Sequence, residues 1–264
     1  MNQSLSVTRN REEKLLIKVP EITIYFWIVK LLTTAMGEST SDYLVNNINP
    51  YLAVILGAVG FVIALNLQFS VRKYVAWIYW LLVVMVAIFG TMVADVIHIV
   101  LGVPYYASTI AFALILTVVF TTWYKVEKTL SIHSIYTRRR EVFYWAAVLA
   151  TFAMGTATGD MTAMTLNLGY LASGILFIVL FVLPAVGCFL FGLNEIFAFW
   201  FAYIMTRPLG ASFADWFGKP KGITGLGYGD GIVVAVLTIL IVIFVGYLSV
   251  TRRDVQREAG RPLR

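Results

Sequence analysis

The chain has 264 residues, of which 60% are A, V, I, L, M, F, W, Y or C and only 13% are charged, with a formal net charge of +6. Soluble domains carry about 45–50% apolar and about 25% charged residues. This balance excludes a disordered chain, a collagen-like or disulfide-rich fold and an ordinary soluble enzyme, and it points to an integral membrane protein.

In chain order, residues 1–18 (MNQSLSVTRNREEKLLIK) form a polar tail with no apolar h-region, so no cleaved signal peptide is expected. A helix needs about 20 apolar residues to cross hydrocarbon. That length predicts eight spans, at 20–41, 50–69, 75–101, 105–124, 143–166, 170–191, 195–216 and 229–250. Such long apolar runs exclude a β-barrel, whose strands alternate over about 10 residues. The spans group into a first four-helix half (19–124), a basic loop (125–142), a second half (143–250) and a tail (251–264). Sixteen of the 20 Lys/Arg fall in the two tails and in the loops on their side; Lys219 and Lys221 lie opposite. The bias predicts cytoplasmic N and C termini, and it makes the basic residues topology signals, so no nucleic-acid partner is expected. Lys30 and Arg207 fall inside spans.

The odd-numbered spans share one pattern: an aromatic-Trp pair, a Gly ten residues after the Trp, and an Asp five after the Gly. The copies are Phe26-Trp27, Gly37, Asp42; Tyr79-Trp80, Gly90, Asp95; Tyr144-Trp145, Gly155, Asp160; and Phe199-Trp200, Gly210, Asp215. Each continues into an even span that opens with Tyr51, Tyr105, Tyr170 or Tyr228. The unit is therefore two helices, and an even number gives every copy the same orientation, unlike inverted-repeat transporters. The expected fold is an all-α integral membrane protein, eight transmembrane helices built as four parallel two-helix repeats. With the segments MGESTSD, GTATGD and TRPLGASFADW, this Trp-bearing unit in four tandem copies resembles a bacterial inner-membrane family of repeats of unknown function. The likeness spans roughly residues 19–250; it implies four repeats and an inner-membrane, multi-pass location, and no activity.

Each Asp follows a small residue (Ser41, Ala94, Gly159, Ala214), so every copy holds a Gly-xxx-small pattern that lets helices approach closely. The Trp residues are expected at headgroup level, where indoles settle. An acid inside a span is costly and usually marks function, so Asp42, Asp95, Asp160 and Asp215 are the candidate site. Asp95 and Asp160 are expected to be submerged, and Asp42 and Asp215 to lie nearer the outer mouth. The structural alternative is that the odd span breaks near its Gly and the Asp caps the restarted helix. Glu38 lies four before Asp42 and His98 three after Asp95, each on its partner's helix face. Carboxylates with one imidazole and no thiolate suit Mn²⁺ or other hard-to-borderline divalent ions; Cys188 stands alone, so neither an intrachain disulfide nor a Cys metal site is expected. Lys30 and Arg207 are expected to pair with these acids, with snorkelling the alternative for Lys30. A kink is expected at Pro208.

The Gly-rich stretch 222–231 lacks the Gly-Lys-Ser/Thr ending of a phosphate loop and reads as a flexible outer loop. H-E-x-x-H and G-x-S-x-G are absent, so an enzyme is not expected, and no cofactor beyond a bound divalent cation. The favoured function is a secondary transporter of a cation, Mn²⁺ foremost. Alternatives are a carrier of a small organic cation or metabolite, and a non-transporting membrane scaffold or intramembrane enzyme. The bilayer and the transported solute are the expected partners, and a homo-oligomer is compatible.

Overall fold

Helix starts are written locally. Asn49 precedes Pro50, and its side chain accepts from the backbone N–H groups of Tyr51 (3.0 Å) and Leu52 (3.3 Å). Asn194 accepts likewise from Ile196 (3.0 Å) and Phe197 (3.1 Å), and Thr137 from Arg140 (3.3 Å). Each side chain satisfies donors that a helix N-terminus leaves free.

The structure, a computed structural model, describes residues 17–255, and among these all regular structure is helical. Eight long helices occur: α1 (Ile24–Asn47), α2 (Pro50–Ser70), α3 (Ala76–Asp95), α4 (Tyr105–Glu127), α5 (Arg138–Asp160), α6 (Gly169–Phe191), α7 (Glu195–Gly218) and α8 (Asp230–Thr251). Short π-helical turns, Val96–Val100 and Met161–Thr165, extend α3 and α5. Of the tail residues that carry the orientation bias, Arg9, Arg11, Lys14, Arg257, Arg261 and Arg264 lie outside the described residues.

The odd helices make an inner ring, α1 on α3, α3 on α5, α5 on α7 and α7 back on α1. Each even helix leans outside mainly on the odd helix that follows it: α2 on α3, α4 on α5, α6 on α7, and α8 on α1. Burial separates the two layers. The even helices bury 17–22% of their apolar window, whereas α3 and α5 bury 56% and 67%. Outward-facing Leu56, Ile63, Leu114, Val118, Val179 and Ile243 are more than half exposed, an apolar exterior that suits lipid and not water. Six helices (α2, α3, α4, α5, α6 and α8) are long and apolar enough to cross a membrane. The other two, α1 and α7, are as long but carry Lys30, Glu38 and Asp42, or Arg207 and Asp215.

The repeat glycines sit where inner helices cross. A Cβ on Gly37 would meet Ala87, on Gly90 Phe152, on Gly155 Arg207, and on Gly210 Thr34. Each partner stands three residues before the Gly of the next repeat, so one contact recurs four times and closes the ring. The aromatic pairs close it again at one end. Phe26 meets Trp80 at 5.7 Å between ring centroids, Tyr79 meets Trp145 at 5.4 Å, Tyr144 meets Trp200 at 6.1 Å and Phe199 meets Trp27 at 5.7 Å. The indoles of this end face protein, Trp27 partly so. Trp80, Trp145 and Trp200 are buried, because the helix crossing turns the aromatic-Trp face inward.

Two helix ends differ from the apolar count because the helix runs on through polar residues. Continuation of α1 to Asn47 passes through ESTSD, and α5 begins at Arg138 in what reads as loop. None of the odd helices breaks at its Gly, and α7 runs helical through Pro208. Lys18, part of the polar tail by sequence, is buried against Glu141 (Nζ–Oε2 2.6 Å), which also accepts from Gln68 Nε2 at 3.0 Å. The backbone N–H of Glu21 donates to the Asp254 carbonyl at 2.8 Å, so both ends of the described chain meet on this side.

Candidate functional site

The residue after each repeat Gly turns toward the ring interior: Glu38, Thr91, Thr156 and Ala211 are all buried. The first three converge on one guanidinium. Arg207 Nη2 donates to Glu38 Oε2 at 2.6 Å, to Thr156 Oγ1 at 2.7 Å and to Thr91 Oγ1, while Nη1 donates to the Thr34 carbonyl at 3.0 Å. Thr91 in turn donates toward Glu38 Oε2 at 3.2 Å. The fourth repeat thus supplies the cation, the first its carboxylate, and the second and third a hydroxyl each. Gly155 makes this possible, since a side chain there would occupy the Arg207 stem. Removing one partner of so buried a pair would leave the other charge uncompensated, at about 3–5 kcal/mol.

One turn further along, the repeat aspartates gather beside this pair. Carboxylate oxygens of Glu38, Asp160 and Asp215 lie within 4.8 Å of one another. Asp42 accepts from Lys219 Nζ at 2.7 Å, and Asp215 stands 4.0 Å from the same ammonium. Asp95 accepts from Ser41 Oγ at 3.3 Å. Burial pulls the Lys219 ammonium down, but Asp42 and Asp215 outweigh it and hold the group above the ordinary lysine value. Among these seven charged groups five are acids and two are cations, so the fully ionised set has an excess of negative charge. The Tyr170 hydroxyl, on a residue 2% exposed, has no hydrogen-bond partner among the described residues. Its charged neighbours are Asp215, Lys219, Asp160 and Asp42.

The six residues expected to bind a metal are not one set. Glu38, Asp160 and Asp215 converge; Asp42 and Asp95 are held at the margin by Lys219 and Ser41. His98 is engaged elsewhere. Its Nδ1 pairs with the Val103 carbonyl at 3.0 Å, its Nε2 with Ser108 Oγ at 3.3 Å, and its ring lies 4.2 Å from that of Tyr105. Both ring nitrogens are taken up, one by the turn that joins α3 to α4 and the other by the first turn of α4. Asp215, expected nearer the outer mouth, is only 5% exposed because α7 carries it into the bundle.

The expected cation pairing holds for Arg207 and fails for Lys30, whose Nζ meets the Phe152 and Tyr203 rings and no carboxylate. Nor does Lys30 snorkel, being 1% exposed. The aspartates do not cap restarted helices. Asp95 and Asp160 stand where α3 and α5 pass into π-turns and make no cap hydrogen bond, and Asp42 and Asp215 lie inside continuous helices.

Sequence reasoning missed Thr91, Thr156 and Lys219. The threonines share the register of Glu38, one after the repeat Gly, and that register was the readable signal. Lys219 reads by position as a loop charge, but the Gly-rich segment folds it back. The N–H groups of Leu226, Gly227, Tyr228 and Gly229 donate to the carbonyls of Trp216, Lys219, Phe217 and Gly218 at 2.6–3.1 Å. The segment is therefore a cap on α7 and not a free loop. Gly225 lies so close to the Lys219 backbone that any Cβ would collide with it.

Comparison with curated proteins and with solved structures finds no match to either. The profile of one repeat family matches four successive segments, 25–74, 78–129, 143–192 and 198–254. These are the four two-helix units of the ring, and the chain belongs to the family described as Repeat of Unknown Function (DUF347).

Proposed function

We propose that this protein is a multi-pass membrane carrier of a cation, with a divalent metal such as Mn²⁺ as the favoured cargo. All eight helices would span the bilayer, α1 and α7 shielded by the other six, with both termini cytoplasmic and the inner membrane of a bacterium as the location. One observation carries the reading: the oxygens of Glu38, Asp160 and Asp215 converge within 4.8 Å, the spacing at which one ion could be shared. An all-oxygen donor set favours hard divalent ions. Nothing in the chain resembles a phosphate loop, so the drive would be an ion gradient or a partner protein.

Mn²⁺ uptake into liposomes holding the purified protein tests this. Asp160→Asn and Asp215→Asn should each weaken Mn²⁺ binding at least tenfold, roughly 1.4 kcal/mol, and abolish flux, while size exclusion and circular dichroism stay unchanged. Undiminished flux in both variants would sink the reading. A second reading, a carrier of a small organic ammonium, draws on Lys219, whose own ammonium the site holds at 2.7 Å from Asp42. Thermal stabilisation by amines and by no metal would favour it.

A further inference from the structure

Of the two cations at the site, Arg207 belongs to α7 and Lys219 to the segment that caps it. Lys219 Nζ donates to Asp42 Oδ2 at 2.7 Å and stands 4.0 Å from Asp215 Oδ1. Asp215 is also one of the three carboxylates whose oxygens converge within 4.8 Å. The ammonium and an ion in that set would therefore draw on the same carboxylate.

The converging oxygens alone do not complete a metal shell. Ions of the Mn²⁺ class take about six oxygens, and Glu38 Oε2 already accepts from Arg207 and Thr91. Two further oxygen donors lie at hand. One is Asp42, held by Lys219. The other is the Tyr170 hydroxyl, on a residue 2% exposed, beside Asp215, Asp160 and Asp42 and with no hydrogen-bond partner among the described residues. Buried polar atoms are rarely left without a partner, so this hydroxyl points independently to a ligand in the set. An ion that draws in Asp42 must take it from Lys219. The ammonium has a way out: its side chain is 20% exposed, that of Asp42 19%, and residues 220–224 are exposed. The cap can stay closed meanwhile. The Lys219 N–H donates to the Asp215 carbonyl at 2.8 Å and the Lys219 carbonyl accepts from Gly227 at 2.9 Å, so only the side chain needs to move.

We propose that Lys219 is a tethered occupant of the cargo's place, its ammonium filling the position between Asp42 and Asp215 until a divalent ion displaces it toward solvent. This rests on the cation reading and narrows it to divalent over monovalent ions. A divalent ion brings two charges in exchange for one, whereas a free monovalent cation brings only what it removes. A tethered group also competes at an effective concentration of about millimolar order or higher. A free ammonium therefore gains little by the exchange, and Lys219 acts as the residue that sets specificity.

Amine-reactive labelling of the purified full-length protein, read residue by residue by mass spectrometry, tests the displacement. Mn²⁺ should raise modification of Lys219 several-fold and leave that of exposed Lys221, the internal reference, unchanged. Lys219→Gln keeps the backbone bonds of the cap and should bind Mn²⁺ about tenfold more tightly than the wild type. Methylammonium should compete with Mn²⁺ about tenfold more effectively in that variant than in the wild type. A lysine that only balanced charge would stay in place. Mn²⁺ binding with unchanged Lys219 modification therefore overturns the proposal, and so does equal methylammonium competition in the two proteins. Absence of any Mn²⁺ binding by the wild type overturns the cation reading itself, and this inference with it.

Discussion

Each repeat glycine occupies the point where an inner helix meets the next, and the four partners differ: Ala87, Phe152, Arg207 and Thr34. The consequences of adding a methyl group therefore differ as well. At Gly210 a Cβ would stand 2.8 Å from Thr34 Cβ and 2.9 Å from the Ala35 backbone nitrogen. Backbone cannot yield as a flexible side-chain tip can, so Gly210→Ala should destabilise by about 1–3 kcal/mol. Gly246, exposed on α8 with nothing within 4 Å of its would-be Cβ, is the control, and Gly246→Ala should leave stability unchanged or slightly raised. Thermal unfolding in detergent, read by tryptophan fluorescence, checks both, and equal midpoints for the two variants would contradict the close-approach argument. At this scale the sequence is legible where it repeats. Gly37, Gly90, Gly155 and Gly210 announce themselves by spacing, as do the four aspartates. Thr91 and Thr156 are hidden because threonine in an apolar helix ordinarily bonds its own backbone. What gives them another role is the fold-dependent arrival of Arg207. Lys30 shows the reverse failure: a charge in a span suggests a carboxylate partner, but the ring places aromatic faces there instead.

Elements are set by caps and by which face turns inward, and both are only partly written in hydropathy. The lengths of α2, α4, α6 and α8 follow from their apolar runs, since lipid and neighbouring helices make similar demands on them. The ends of α1 and α5 do not: buried Glu38, Ser39 and Ser41 let α1 continue where an apolar count stops, and the Thr137 side chain caps α5 ahead of the exposed Arg138 and Arg139. The segment before α1 is likewise structural. Ile17 accepts from the Tyr74 N–H, Lys18 donates to the Ile135 carbonyl, and the Tyr74 hydroxyl donates to the Asp254 carboxylate just beyond α8. Burial pushes the Asp254 carboxyl above its ordinary value, against the opposing effect of the Tyr74 hydroxyl and a backbone N–H. The folded chain therefore binds this proton more tightly than the unfolded chain. Between the two values, stability falls as pH rises and recovers as pH falls. Asp254→Asn keeps an acceptor for Tyr74 and removes the charge. Its melting temperature should equal or exceed that of wild type near pH 8, with the difference narrowing toward about pH 5. A wild-type advantage that grows with pH would show that the charged carboxylate stabilises this junction.

For the whole molecule, the order of contacts matters more than the order of helices. Sequence suggests two four-helix halves, since the longest interval between repeat tryptophans, 65 residues, spans the basic loop. Spatially the repeats interlock across that division, because each outer helix covers the inner helix of the next repeat: α4 rests on α5, and α8 returns to α1. The inner crossings α3–α5 and α7–α1 join the halves a second time. The site joins them a third time, with Arg207 of the last repeat bonded to Glu38 of the first and Thr91 of the second. Neither half alone could bury its inner helices or satisfy this charge pair, and an unpaired buried charge is the costlier defect. A chain cut in the connection between α4 and α5 should therefore assemble when both fragments are co-expressed, and the tagged first half should co-purify with the second. Expressed singly, each fragment should be degraded or aggregate. Arg207→Leu in the second fragment should reduce recovery of the pair, and Glu38→Leu in the first should restore part of it, because removing both charges leaves no uncompensated one. Recovery of a stable, monodisperse single half would mean that the division by sequence, and not the interlocked ring, sets the folding unit.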